Sequence, residues 1–324
     1  MNRPSHLAQI ALPDDLELRV NHFLHQNTLH IFNRPEFFML HSNGRGHYCQ
    51  LVSSKHSRVL AAIHFTDDGQ GILTSPLRGT FGGFSAEEGV GIAVLDSFMD
   101  GILTYFCSLG AKRIRIALRP ASHDIALFAT SFNILLRKGF TIERHELNYV
   151  LGVDALPLLD KMEHGNRKRV NKCLRERFQA DFCPVHQLPE VYQAISENRA
   201  RRGYPMSITL KGLQEMAQRF PEQVIAFGVR RGADLVAASV CIRLDRDVLY
   251  VFLWGEVAGM ETYSPVALLA TKIYQYSVDQ GITLIDVGTS TENGMPNHGL
   301  IRFKRSMGFR ECLKLTLSTG PHST

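Results

Sequence analysis

The stretch that decides the fold runs from Val248 to Phe309. It opens with VLYVFLWGEV (Val248–Val257) and crosses a polar loop to SPVALLATKIYQYSVDQG (Ser264–Gly281). It continues into ITLIDVG (Ile282–Gly288) and, after a second polar loop, ends in GLIRFKRSMGF (Gly299–Phe309). The first run is apolar and rich in aromatic and β-branched residues, as a buried strand is. Ser264 before Pro265 predicts a helix start, with a hydroxyl as N-cap and a preset φ at the first helical position. Val266, Leu269, Ala270, Ile273 and Tyr276 then recur at helical spacing, and Gly281 ends the run. ITLIDVG reads as a second strand and Gly299–Met307 as a short basic helix. Strand, helix, strand, helix, with a polar loop after each strand, is the pattern of an α/β unit that binds ligands at its strand ends.

The whole chain has 324 residues, 44% hydrophobic and 21% charged, which suits one large or two medium globular domains. Its formal charge of +5 is compatible with phosphate-bearing ligands but far from that of a dedicated nucleic-acid binder. The six cysteines are scattered without a CxxC pair and read as small buried residues in a reducing compartment. The first residues lack the apolar core of a signal peptide and no run approaches a membrane span, so a cytoplasmic protein is expected.

Working back from the deciding stretch, Leu16–Phe38 alternates apolar and polar positions in a helix-like way. His22, His25 and His30 lie there without a further ligand or carboxylate at metal-site spacing, so half-exposed helical histidines are expected rather than a metal site. Three β-like runs follow, HYCQLVSS, RVLAAIHFTD and GILTSP. Ser85 and Glu88 are spaced as a capping box before the helix ending CSLG. The strand RIRIAL, the helix ending LLRKG and the strand TIERHELNYVLGVD complete this half.

The second half repeats that order. RVLAAIHF answers DLVAASVCI, GILTSP answers VLYVFLWG, and RIRIAL answers ITLIDVG. Gly110 answers Gly281 and Phe140 answers Phe309, at an offset of about 170 residues. The expectation is an α/β protein with mixed sheets, built as two similar lobes over 1–154 and 155–324. Between them lies a basic helix with Arg167, Lys168, Arg169, Lys172, Arg175 and Arg177. Its apolar seam is expected at Val170, Leu174 and Phe178.

A YVFLWG-like strand, a Pro-started helix, an IDVG strand and a GLIRFK helix, in this order, resemble the C-terminal lobe of FemAB-like proteins. Those are tandem acyltransferases of the GNAT superfamily. The resemblance is good over roughly the last 80 residues and, through the repeat, extends more weakly to most of the chain. It implies two GNAT-like lobes and transfer of an acyl or aminoacyl group to an amine. The donor would be acyl-CoA or aminoacyl-tRNA, and the acceptor a small-molecule or peptide amine. The family's coiled-coil insertion for tRNA has no counterpart here, so a cell-wall role is not implied.

Acyl transfer from an activated donor asks for positioning and oxyanion stabilisation more than for a sharp motif. No GxSxG, Walker or HExxH motif is present. The GNAT phosphate loop, Q/R-x-x-G-x-G/A, finds only AEEGVG (Ala86–Gly91), which departs at its first position and reads better as a capped helix start. The equivalent loop of the second lobe, GEVAGMETYSP, lacks the motif too, which weighs against acyl-CoA. Asp286 and Glu256, at strand ends, are the candidate catalytic carboxylates. Lys304 matches the family's FK lysine. With Trp254, Tyr250, Arg169 and the Gly82–Gly83 pair of TFGGF, it makes up the candidate substrate-binding set. Two other readings stay open: a non-catalytic tandem-GNAT module binding a nucleotide-bearing or peptide partner, and RNA binding through the basic helix.

Overall fold

In each half a helix ends in a glycine at positive φ, Gly110 (φ 73°) and Gly281 (φ 64°), just before a strand. Only a residue without Cβ takes this conformation freely, which is why the same punctuation marks the same place twice. A computed structural model describes residues 15–24, 29–42, 44–76 and 78–320. The chain up to Glu146, together with the segment from Cys312 onward, forms one compact unit, and Leu147–Glu311 form a second.

Unit 1 contains β1 (Leu16–Val20), α1 (Pro35–His41), β2 (Gly46–Ser53), β3 (Arg58–Asp67), β4 (Ile72–Ser75), a short β5 (Ser85–Ala86), α2 (Ile92–Ser108), β6 (Arg113–Ala117), α3 (Ile125–Arg137) and the start of β7 (Phe140–Gly152). Unit 2 takes up the end of β7 and adds α4 (Leu158–Lys161), α5 (His164–Arg175), β8 (Phe178–Cys183), α6 (Leu188–Arg201), α7 (Leu210–Arg219), β9 (Val224–Arg231), β10 (Asp234–Arg243) and β11 (Val248–Glu256). After α8 (Pro265–Asp279) and β12 (Leu284–Thr289) come a hairpin of β13 (Thr291–Glu292) and β14 (Met295–Pro296), then α9 (His298–Ser306) and the start of β15 (Arg310–Thr319).

The sheet of unit 1 runs β1-β2-β3-β4-β6-β15 and that of unit 2 runs β8-β9-β10-β11-β12-β7. Both are mixed in the same way. The first four strands are antiparallel, the next pair (β4–β6, β11–β12) is parallel, and the last joins antiparallel. The last strand of each repeat therefore completes the sheet of the other repeat. This moves the division to Glu146/Leu147, against the expected 154/155, and returns the C-terminal strand to unit 1. Each sheet face carries its own core: Leu51, Ile63, Phe98, Ile114 and Leu135 in unit 1, Leu249, Val251, Leu269, Ile273 and Ile285 in unit 2. Each such side chain contributes about 1.5–3 kcal/mol by burial.

Several local expectations are corrected. Leu16–Val20 is a strand whose partner β2 overrides the helix-like spacing, and His30 lies buried at a 3-10 turn instead of on a half-exposed helix. His25 lies outside the described residues. Ser85 sits in β5, and α2 starts after Gly91 without a side-chain cap. Ser264 adopts φ 52° and its hydroxyl does not cap α8. The buried seam of α5 is Asn166, Val170 and Cys173, while Leu174 is exposed and Phe178 belongs to β8. Four cysteines are buried as expected, but Cys107 is exposed and Cys312 half-buried.

Candidate active site

In unit 2 the parallel strands β11 and β12 pair only from Val248↔Leu284 to Tyr250↔Asp286. Beyond that point β11 continues to Glu256 beside β10, while β12 turns away through Gly288. Strands that part at their carboxyl ends leave a crevice for a ligand. Gly288 has φ 73°, and its N–H donates to Asp286 Oδ1 at 2.6 Å. The same oxygen accepts from Asn148 Nδ2 of β7 at 2.9 Å. A buried carboxylate thus fixes a left-handed residue in mid-strand, and the register against β7 shifts there.

The consequence of that turn is the placement of Lys304. Its Nζ donates to the carbonyl oxygens of both Gly288 and Thr289, each at 2.9 Å, and stands 5.3 Å from the ring centre of Tyr149. Asn297 starts α9 properly by accepting the Leu300 N–H at 3.0 Å, which sets the helix phase. That phase makes Lys304 the buried residue of α9, at 1% exposure. Burial holds its ammonium down to about 7, against a smaller opposing pull from Asp286. An amine with two directions committed to carbonyls has one left, as a donor when charged or as a lone pair when neutral.

The other candidates are distributed as follows. Tyr250 is buried and lies against Gly288, where a Cβ would meet its hydroxyl at 3.6 Å. Trp254 is half-buried and meets Phe303 of α9 edge-on at 5.9 Å. Glu256 is buried at the end of β11, and burial raises its carboxyl above the usual range. Its Oε2 has no hydrogen-bond partner. Arg169 is on the exposed face of α5, beside a groove of about 740 Å³ lined by Lys168, Lys172 and Arg175, and donates to Asn166 Oδ1 at 3.2 Å. Asn166 in turn donates to Ser306 Oγ at 2.8 Å, which ties α5 to the helix of Lys304. Sequence reasoning missed Asn148, Tyr149, Gly288 and Ser290, whose buried Oγ has no partner. The glycine after Asp286 was the available signal.

Gly82 and Gly83 belong to unit 1. A Cβ on Gly82 would meet Pro76 Cδ and Ser75 Oγ at 2.7 Å, and Gly83 takes φ 78°. Both therefore have a packing reason to be glycine. Behind this loop Asn33 Nδ2 donates to Gly83 O at 2.8 Å, and His30 lies 5.3 Å from the Phe81 ring with neither ring nitrogen bonded. Among the described residues no group of His, Cys, Asp and Glu could hold a metal ion, and no helix is long and apolar enough to cross a membrane.

Two mixed sheets with this strand order, one in each unit, make a two-lobed α/β fold that solved structures share. The chain is similar in structure to FemX, with a TM-score of 0.70 at 11% identity, covering 89% of this chain and 91% of that one. It is also similar to L-PGS from Bacillus licheniformis, at 0.56 and 15% identity over 82% of each chain. A third similar structure is a C-terminal domain assigned to lysylphosphatidylglycerol synthetase from Agrobacterium fabrum, at 0.58 and 12% over 86% and 85%. No family model and no curated protein match the chain by sequence.

Proposed function

We propose that the chain is an N-acyltransferase that moves an acyl or aminoacyl group from an activated donor, acyl-CoA or aminoacyl-tRNA, to an amine acceptor in unit 2. The observation that carries this reading is Lys304, a buried amine held by the Gly288 and Thr289 carbonyls at the carboxyl end of β12. The acceptor amine, in its neutral form, attacks the donor carbonyl carbon. The new C–N bond forms as the ester or thioester bond breaks, and the proton lost by the amine ends on the leaving oxygen or sulfur. Lys304 supplies a preorganised N–H to the oxyanion, a contribution of the kind worth about 3–4 kcal/mol in a water-poor site. Asp286 is a positioning residue, since its carboxylate holds the Gly288 turn whose carbonyl anchors Lys304. The names of the L-PGS and FemX neighbours support a transferase, and the fold alone does not carry the choice of donor.

The test is a transfer assay with aminoacyl-tRNA and with acyl-CoA as donors against a panel of amines, run on the whole chain and on Lys304→Met. Turnover by the wild type that falls about a hundred-fold in the variant is expected. Turnover unchanged in Lys304→Met would remove the assignment.

A further inference from the structure

We infer that the outer face of α5 is a binding site for a small polyphosphate, the di- or triphosphate group of a nucleotide, set apart from the crevice and linked to both of its walls. The inference does not depend on the transfer reading. Lys168, Lys172 and Arg175 follow one another at i, i+4 and i+7, so they share one face of the helix, with Arg169 beside them. Together with Asn171 and Leu174 they line the groove of about 740 Å³, a volume that suits a small-molecule ligand. Elsewhere in unit 2 Arg230 pairs with Glu190, Lys272 with Asp181 and Arg305 with Glu311. Among the described residues none of the four groove cations is in an ion pair. Glu176, next in the chain to Arg175, is taken by Arg231 at 2.9 Å and by the Tyr263 hydroxyl at 3.0 Å. Four unanswered cations over roughly 10 Å of helix suit a compact group of several phosphates, which Lys and Arg bind by charge-assisted hydrogen bonds. An extended nucleic-acid strand would need the cations to continue along its path.

Two of the four cations are also tied to the crevice. Lys172 Nζ stands 4.1 Å from the ring centre of Tyr263, two residues before Pro265 starts α8. The Tyr263 carbonyl accepts from Cys173 Sγ of α5 at 3.5 Å. Arg169 Nη1 donates to Asn166 Oδ1, and Asn166 Nδ2 donates to Ser306 Oγ of α9, two residues after Lys304. The Glu163 N–H donates to Ser306 O at 2.9 Å. The C-terminal half of α5 thus braces the loop into α8, and its N-terminal half braces the end of α9. Those helices follow β11 and β12, the two strands whose parting forms the crevice. A polyphosphate that draws Lys172 and Arg169 to itself competes with both braces. Occupancy of the groove is therefore coupled to the crevice, and the coupling is reciprocal.

Trp254 is the one tryptophan of the chain and meets Phe303 of α9, so its emission reports on the crevice. The experiment titrates the full chain with inorganic tripolyphosphate and with ADP, following both heat and tryptophan fluorescence. Both ligands should bind, and Trp254 emission should change with the same midpoint. Lys168 and Arg175 are exposed, so replacing either by alanine leaves the packing of α5 intact. Each substitution should weaken binding about ten-fold, as loss of one charge-assisted contact would, and move the fluorescence midpoint with it. Arg246→Ala, an exposed cation outside the groove, should change neither. Equal weakening by Arg246→Ala and by the groove variants would mean diffuse attraction by net charge and overturns the inference. So does a single-stranded RNA that binds a hundred-fold tighter than tripolyphosphate and depends on the same two residues, because the face would then belong to a nucleic-acid surface. Binding that depends on Lys168 and Arg175 but leaves Trp254 emission unchanged overturns the link to the crevice.

Discussion

Lys304 of α9 and Leu135 of α3 stand at equivalent places in the repeat, five residues before Phe309 and Phe140 respectively, and both are fully buried. Unit 1 fills the position with a leucine at 0% exposure, whereas unit 2 fills it with an amine at 1%. The fold thus tolerates a hydrocarbon there, and the cation is costly to keep. A buried ionisable group with an apolar counterpart in the same architecture points to function in unit 2.

Replacing Lys304 by methionine should therefore lower transfer about a hundred-fold while leaving thermal stability within about 1–2 kcal/mol of wild type, because relief of desolvation offsets two carbonyls left without a donor. Alanine should be worse, adding a cavity penalty of about 2–3 kcal/mol. Full burial thus argues against an alanine variant of near-native stability, which partial exposure would have allowed. Arg305→Ala is different. Arg305 is exposed and paired with Glu311, so its loss should change stability by less than about 1 kcal/mol. Urea unfolding of the three variants separates these cases.

The pH dependence follows from the same amine. Its folded-state pKa is lowered to about 7 from 10.5, so between these values the unfolded chain binds a proton that the folded chain does not. Stability should rise with pH across that window, by roughly 4–5 kcal/mol if nothing else titrates, and the burial penalty is fully present below pH 7. The comparison is the difference in urea midpoint between wild type and Lys304→Met at about pH 7 and pH 9.5. That difference should shift in favour of wild type at the higher pH. A constant difference would mean that Lys304 stays charged.

How much of this was legible depends on what each signal measures. Periodicity and glycine punctuation placed the repeated strands and helices, because the positive φ of Gly110 and Gly281 is a local demand written in one residue. The exchange of last strands was invisible, since TIERHELNYVLG and RECLKLTLST read as strands whichever sheet receives them. Lys304 could be picked out by its resemblance, but its burial is set by the Gly288 turn, a tertiary fact. Leu16–Val20 misled for the reason strands often do: pairing with β2 decides its state, not spacing along the chain.

His30 predicts acid lability of unit 1. Burial lowers its pKa well below 6.5, helped by Arg119, His64, His123 and Arg34. Its neighbour His64 falls to about 4 through burial, although its Nε2–H donates to Phe32 O at 2.7 Å. For a histidine lowered in the folded state, stability is complete above the unfolded value of 6.5 and is lost as pH falls towards the folded value. Protection factors of amides in β2 and β3, corrected for the intrinsic pH dependence of exchange, should fall as pH drops below 6.5. His30→Leu should flatten that trend, and an identical slope in the variant would clear His30 of responsibility.

The last prediction concerns the C-terminal strand. From Cys312 the chain belongs to unit 1, where Thr316, Leu317 and Ser318 pair with Ala117, Ile116 and Arg115 of β6. Leu315 and Leu317 are 2% and 0% exposed in that core, and the Ile114 N–H donates to Thr319 Oγ1 at 2.9 Å. Ending the chain at Glu311 removes both leucines, about 1.5–3 kcal/mol each, and leaves β6 with an unpaired edge. Unit 1 should lose most of its stability although every residue removed lies beyond the end of unit 2. Hydrogen exchange in β6 should become fast, while β10 and β11 keep their protection. Adding a peptide spanning Arg310–Thr319 in trans should restore the protection of β6. Protection of β6 unchanged by the truncation would show that β15 is dispensable to unit 1 and that the exchanged strand contributes little to its sheet.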